Sequence, residues 1–374
     1  MIAVAMLITI LYFGLISYYL YGFLQVKKVI NKKYAPLTSF SIIIPFRNEA
    51  ENLPTILQSL KSINYPFSLF EIIFVNDDST DNFKSILNHF AEENSILQIK
   101  IIDNKRFSTS PKKDAINNAI TVSSHQWIVT TDADCIVPEN WLQLFNQFII
   151  DEQPYFISAP VNFIAKTSFL FHFQNLHFLS LIGSSIGSFG VQQPLMCNGA
   201  NLCYNKYIFQ KINGFEGNLK TVSGDDVFLM EKINAVYPLK TKFLKSKDSM
   251  VQTNAEISYN KFINQQLRWA SKTSSYQSIF SKGVGLLVFT INFSLILLLL
   301  LSFSNHYYLI AALFIYFSKL LIDFLIIRQT AQFLNNKKSL RYFLIISLVY
   351  PFFIVYIGLF SQFKNYEWKG RKFK

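Results

Sequence analysis

Two aspartates stand one residue apart in "IVTTDADCIV" (128–137), where an apolar run stops. Adjacent carboxylates repel unless a cation lies between or beside them, so Asp132 and Asp134 call for positive charge. Strand alternation would turn both to the same side. Oxygen-only ligation suits a hard ion, Mg²⁺ or Mn²⁺, shared with substrate phosphates; an acid-rich turn is the plainer alternative. Asp77, Asp78 and Asp81 in "VNDDSTD" fit turn formers and a cap for a helix starting near 81 as well as they fit a binding rim. In "SGDDVFLM" (223–230) carboxylates open a helix, where one could take a proton from a hydroxyl or merely complement the helix dipole. Gln265, Arg268 and Trp269 of "QQLRW" fall on nearly one helical face, so an indole and a guanidinium suited to bidentate diphosphate contact are presented together. The same residues would also anchor a helix at lipid headgroups.

These groups need a frame. "SFSIIIPF" (39–46), "FEIIFVND" (70–77), "LQIKIID" (97–103) and "QWIVTTDAD" (126–134) read as strands, each bounded by polar residues. Helical patterns lie between them, including 48–63 with Asn48 as N-cap and Pro54 in its first turns. Such alternation predicts an α/β fold on a mostly parallel sheet, which binds ligands at the C-terminal ends of its strands, where the acids collect.

The frame has greasy ends. About half the chain is hydrophobic, and residues 2–24 form an uncharged stretch able to cross a ~30 Å hydrocarbon layer. With no basic region before it and no small-residue cleavage site after it, a span fits better than a signal peptide. Lys27, Lys28, Lys32 and Lys33 follow, placing residue 25 onward in the cytoplasm by the positive-inside rule. Runs 284–304 and 306–327 read as further spans, and 342–363 is split by Pro351. Three full spans would put the basic tail outside, so either the last run is a re-entrant hairpin or the charge rule fails there. The Phe-rich run 168–190, interrupted by His172, Gln174, Asn175 and His177, reads as an amphipathic interface helix. Three cysteines without paired spacing indicate neither a disulfide framework nor a zinc site. The predicted organisation is a span and basic linker at 1–35, a cytoplasmic α/β domain with interfacial helices at 36–280, and membrane segments at 281–374: a multi-pass protein of the cell membrane. A net charge of +12 that flanks membrane segments argues against nucleic acid as partner.

"SIIIPFRNEAENL", "VNDDSTDN", "TDADC", "SGDDVFLM" and "QQLRW" together resemble the ordered motif set of glycosyltransferase family 2, in its membrane-embedded branch. The match spans about 38–270. The resemblance implies a GT-A fold in which Pro45, Glu49 and Asp77 hold the nucleobase and ribose, and Asp132 and Asp134 bind Mg²⁺ or Mn²⁺ on the diphosphate of a nucleotide sugar, a UDP-sugar being favoured. "PKKDAINNA" resembles the family's G-K-x-x-A-L-N-x-G and puts Lys112 and Asn117 near the phosphates, though Pro111 and Ala119 replace the glycines. Asp226 would be the base and Asp225 its neighbour, where the family usually has Glu-Asp. Arg268 would contact diphosphate, with Gln265, Trp269, Gly199 and Ala200 on the acceptor side. The implied activity is inverting transfer to a hydroxyl of a membrane lipid or glycan, or processive polysaccharide synthesis. A nucleotidyltransferase would carry a glycine-rich loop after its first strand, which "PFRNE" lacks; an inactive scaffold would not need Asp226, Arg268 and Trp269 together with the Asp pair.

Overall fold

The alternation of strands and helices is realised in a computed structural model that describes residues 1–219, 221, 224–272, 276–363, 366–369 and 371–373. Ser223 of the "SGDDVFLM" run and parts of the basic tail lie outside the described residues. The N-terminal part comprises α1 (Ile2–Gln25), β1 (Phe40–Phe46), α2 (Leu53–Lys61), β2 (Phe70–Asn76), α3 (Phe83–Glu93), β3 (Gln98–Asp103), α4 (Pro111–Val122) and β4 (Trp127–Thr130). Then come β5 (Cys135–Ile136), α5 (Trp141–Glu152), β6 (Phe156–Ser158), β7 (Val161–Phe163), α6 (Phe169–Gly190), β8 (Leu202–Asn205), α7 (Lys206–Lys211), α8 (Asp225–Val236), β9 (Thr241–Phe243) and β10 (Val251–Thr253). The C-terminal part holds α9 (Tyr259–Ser271), α10 (Ile279–Leu301), α11 (His306–Phe333), α12 (Phe343–Phe360), β11 (Tyr366–Trp368) and β12 (Arg371–Phe373).

The chain folds into two compact units. An α/β unit takes residues 26–164 and 196–254; a helical unit takes 1–25, 165–195 and 255–374. The segments 165–195 and 255–280, grouped with the α/β domain by sequence, pack with the helical unit instead.

In the α/β unit, seven strands run in the order β3-β2-β1-β4-β8-β6-β9. The first four are mutually parallel, while β8 runs antiparallel to both β4 and β6. Helical crossovers return each early strand to the same direction, which brings the C-terminal ends of β1, β2, β3 and β4 to one rim. Ile42, Ile43, Ile44, Ile72, Ile73 and Phe74 are wholly buried, as the unbroken apolar runs of β1 and β2 require of a sheet covered on both faces.

Three local expectations change. The helix expected over 48–63 begins only at Leu53, with Asn52 at its N-cap. Asn48 adopts a left-handed turn (φ 51°), its side chain accepting from Thr80 N at 2.8 Å while its own N–H donates to Ser79 Oγ at 3.0 Å. Asp81 does not cap α3: its Oδ2 accepts from Ala50 N at 2.7 Å, and Asn82 occupies the cap position. The strand expected to reach Asp134 stops at Thr130, and the two acids sit in a turn closed by Cys135 N donating to Asp132 O at 3.2 Å. Burial nonetheless alternates there, with Ala133 and Cys135 covered and Asp132 and Asp134 half-open.

In the helical unit, α1, α10, α11 and the stretch Lys338–Phe360 ending in α12 are long and apolar enough to cross a membrane. Helix α12 runs unbroken through Pro351, which disfavours the hairpin, one of the two alternatives left open for this run. Helix α6 is covered along nearly its whole length rather than on one face. It meets α1 at Gly22, where an added Cβ would lie 2.1 Å from Gly187 O; small residues let the two backbones approach.

Candidate active site

At the ends of β1 and β2, Asp77 is buried and accepts at Oδ1 from Arg106 Nε and Asn104 Nδ2, both at 2.8 Å. Arg47 closes the neighbouring turn, donating to Asp77 O at 2.8 Å and Asp78 O at 2.7 Å. Glu49 is also buried, its Oε2 accepting from Asn52 Nδ2 at 2.5 Å, and Pro45 lies half-covered near the end of β1. Residues 45, 49 and 77 therefore share one rim.

The first turn of α4 organises the rest through three consecutive side chains. Lys112 Nζ lies 2.7 Å from Asp132 Oδ1 and 3.5 Å from Asp225 Oδ2, so a single ammonium joins the β4 turn to the start of α8. Burial alone would lower its pKa, but the carboxylates of Asp132, Asp225 and Asp226 overcome this and raise it. Lys113 is fully buried and donates to Asn218 O at 2.7 Å and Thr221 O at 2.8 Å, with its ammonium 4.9 Å from the Phe228 ring centre. It thus ties down the segment that leads into α8. Asp114 accepts from the backbone of Phe107 and Ser108 at 3.2 and 3.0 Å, and from the Ser108 hydroxyl at 2.7 Å.

Gly224, whose φ of 89° favours glycine, caps helix α8 and sets Asp225 and Asp226 in its first turn. Asp226 is buried; Oδ1 accepts from Val227 N at 2.8 Å and Oδ2 from Gly199 N at 3.2 Å. Gly199 leaves this space open: a Cβ there would stand 3.2 Å from both Asp225 Oδ2 and Lys112 Nζ. Ala200 follows, its N–H bonded to Asn198 Oδ1 at 3.0 Å. The segment is anchored by Asn201, which accepts from Trp141 Nε1 at 2.9 Å and donates to Pro160 O and Ser249 O at 2.7 and 2.8 Å.

Asp134 supplies the clearest electrostatic signal. Burial, then the Asp132 carboxylate, push its pKa up to about 6. A carboxyl pair with that tension gains from a second positive charge beside Lys112. Among the described residues no three His, Cys, Asp or Glu side chains cluster as a complete metal cage. Two carboxylates on a rim nevertheless suit Mg²⁺ or Mn²⁺, which are commonly held by one or two carboxylates plus substrate phosphates.

The sequence-identified residues thus divide. Asp132, Asp225, Asp226, Lys112 and Gly199 gather within a few ångströms, with Asp134 one residue beyond Asp132's neighbour and Ala200 beside Gly199. Asn117 lines a separate open cavity of about 400 Å³ with Phe107, Phe209 and Phe215. Gln265, Arg268 and Trp269 lie on α9 of the helical unit, Gln265 donating to Glu256 Oε1 at 3.3 Å. Sequence reasoning missed Lys113, Asp114 and Arg106, whose charges read as solvated until the fold buries them or pairs them.

A mostly parallel sheet whose strand-end turns carry paired carboxylates, with a second acidic pair opening a helix across a lysine, suits an enzyme that handles a nucleotide diphosphate. A model of "Glycosyl transferase family 2" matches residues 41–212 and one of "Glycosyl transferase family group 2" matches 127–326. The chain belongs to glycosyltransferase family 2 and is a transferase enzyme. It is similar to glycosyltransferase AglE of Haloferax volcanii, 34% identical over 103 residues, covering 28% of this chain and 33% of that protein. It is also similar to poly-β-1,6-N-acetyl-D-glucosamine synthase of Staphylococcus aureus, 25% identical over 172 residues, covering 45% of this chain and 40% of the synthase. The matched regions thus span less than half the length of these relatives. The fold is shared with a mannosyltransferase from Pyrobaculum calidifontis, solved with GDP-Man and Mn²⁺, over 97% of this chain and 99% of that one, at a TM-score of 0.61 and 15% identity.

Proposed function

We propose that the enzyme transfers a sugar, with inversion, from a nucleotide-diphosphate sugar to a hydroxyl of a membrane-associated lipid or glycan. The observation that carries this reading is Lys112, held at 2.7 Å from Asp132 and 3.5 Å from Asp225, because it joins the acids of the strand rim to the acids of α8 in one charged cluster. The names of the similar proteins agree: a polysaccharide synthase and a mannosyltransferase solved with a nucleotide sugar and Mn²⁺.

In this reading Pro45, Glu49 and Asp77 hold the nucleoside, with a UDP-sugar as the favoured donor. Asp132 and Asp134 would hold Mg²⁺ or Mn²⁺, which when bound offsets the charge of the departing diphosphate. Lys112 adds a fixed ammonium to the same side, and family resemblance gives Arg268 the role of a diphosphate contact. Asn117 belongs with the donor only by family resemblance. The Asp226 carboxylate, oriented by the N–H groups of Gly199 and Val227, takes the proton of the acceptor hydroxyl as its oxygen bonds to the anomeric carbon. The carbon–oxygen bond to the diphosphate breaks and its electron pair leaves with the nucleotide. Attack from the face opposite the leaving group converts an α-linked donor into a β-linked product. Asp225 keeps Lys112 in place, while Gly199, Ala200, Gln265 and Trp269 serve the acceptor, the indole offering a face on which a sugar stacks.

The apolar helices support a multi-pass enzyme of the cell membrane, and the lysines after α1 support a cytosolic α/β unit that meets its donor there. The small number of candidate spans, four among the described residues, favours a membrane-bound acceptor over a polymer being extruded. The test is to give detergent-purified protein with Mn²⁺ or Mg²⁺ a panel of nucleotide sugars, to follow nucleoside diphosphate release, and to read the product's anomeric proton by NMR. Sustained release and a β-linked product are expected. An α-linkage removes the mechanism, and a ladder of long polysaccharide favours the processive reading that the synthase relative suggests.

A further inference from the structure

The helical unit contains a line of buried and half-buried polar groups, of which the transfer reaction as proposed uses Gln265 alone. Tyr350 Oη on α12 lies 2.9 Å from His177 Nδ1 on α6, and His177 Nε2 lies 2.8 Å from Gln266 Oε1 on α9. A side-chain amide oxygen only accepts, so the neutral imidazole carries its hydrogen on Nε2 and receives the tyrosine hydroxyl hydrogen at Nδ1. Beyond it, Gln266 Nε2 donates to Gln265 Oε1 at 3.4 Å and Gln265 Nε2 to Glu256 Oε1 at 3.3 Å. Every donor in this series points the same way, from Tyr350 on α12 through His177 on α6 and the glutamines of α9 to Glu256. Gln174, one turn before His177, grips the backbone of Glu256 from both sides, donating to its O at 2.9 Å and accepting from its N at 3.0 Å.

We propose that His177 is a positioning residue for the acceptor-side helix: by bridging Tyr350 and Gln266 it fixes the rotation of α9, and with it the direction in which Gln265, Arg268 and Trp269 face. The apolar contacts of α9, in which Phe262 also meets Phe173 edge-on at 5.9 Å, are less directional than a hydrogen bond. Phe262 of α9 stacks on Phe353 with centroids 5.4 Å apart and planes 8° apart, an arrangement that tolerates sliding. A hydrogen bond from a ring whose other nitrogen is already engaged is directional, and turning Gln266 away would strand a buried amide. His177 and Gln266 are 7% and 5% exposed, so water does not stand in for either. The role given to α9 rests on the acceptor function proposed above; the bridge itself rests on the distances within this unit.

The experiment compares two activities of full-length enzyme in detergent: nucleoside diphosphate release without acceptor, and transfer of labelled sugar to the lipid-soluble fraction of added membranes from the expression host. His177→Phe keeps an aromatic ring but removes both bonds; acceptor-dependent transfer should fall about tenfold while acceptor-free release stays level. His177→Phe combined with Gln266→Met should fall no further than either single variant, because both cut the same bridge. Tyr350→Phe removes one oxygen and keeps the packing, so it provides the test even where His177→Phe fails to fold, with a loss of several-fold in transfer alone. Equal losses in both activities, or losses that multiply in the double variant, would overturn the positioning role. A parent enzyme that releases nucleoside diphosphate yet labels no membrane fraction would refute the acceptor reading, and the function of α9 with it.

Discussion

Replacing Lys112 with Met keeps the length of the side chain and deletes the charge between Asp132 and Asp225. Removing one partner of a buried ion pair typically costs about 3–5 kcal/mol, because the remaining charge stays desolvated. Exposure on one side of the site moderates that figure. The Asp132 side chain is 36% exposed, so water screens it, whereas Asp225 at 11% has little such relief. We expect a loss of about 2–3 kcal/mol in metal-free enzyme, which for a domain of this size lowers the melting temperature by about 4–12 °C. A divalent cation binding the same acids should restore part of that loss, so Mn²⁺ should raise the melting temperature of Lys112→Met more than that of the parent. Thermal denaturation in detergent, run in EDTA and again across a Mn²⁺ series, measures both effects. If the variant melts with the parent in EDTA, or if Mn²⁺ shifts the two equally, the ammonium is not what holds these acids together.

Asp226→Asn should lower acceptor-dependent transfer by roughly 10²–10⁴-fold while leaving nucleotide-sugar affinity within a few-fold, as measured by titration calorimetry; comparable loss of donor affinity would move Asp226 to the donor side. Asp134→Ala should abolish Mn²⁺ binding and turnover without unfolding the unit, since the residue sits in a rim turn and not in the core, and parent activity should vanish in EDTA. Gly199→Ala should slow transfer by forcing Asp225 or Lys112 aside, because the new methyl would stand 3.2 Å from each; an unaltered rate would show that the cluster yields freely. Glu71→Gln should cost about 1–3 kcal/mol at neutral pH. Burial opposes the Glu71 carboxylate, but Lys100 at 2.7 Å, Ser124 N and Ser41 Oγ together lower its pKa below 4.5. A lowered carboxylate stabilises fully above its unfolded value and loses that contribution as pH falls through the folded one, so the gap between parent and variant should close in denaturant titrations below pH 4.5.

What could be read in advance depended on whether a residue's environment is local. β1, β2 and β3 were legible because Phe40–Phe46, Phe70–Asn76 and Gln98–Asp103 are short, β-rich runs whose pattern suffices to make a strand. The acids at their ends were legible because carboxylates in series demand a counter-charge wherever they lie. The start of α2 was not, since Asn48 leaves helical geometry to bond with the 79–80 turn, a partner 31 or more residues away. Lys113 and Asp114 were missed for a related reason: adjacent opposite charges at a helix start are ordinary on a solvated face, and only Phe107, Ser108, Asn218 and Thr221 turn them into buried anchors. Helix α6 inverts the lesson. His172, Asn175 and His177 suggested an amphipathic helix at the membrane interface, yet His172 and Asn175 meet the Ser339 hydroxyl at 2.9 and 2.8 Å, and His177 meets Tyr350 and Gln266. In an apolar setting a polar side chain marks the place where another helix brings its partner, so the residues that seemed to interrupt α6 are the ones that specify its neighbours.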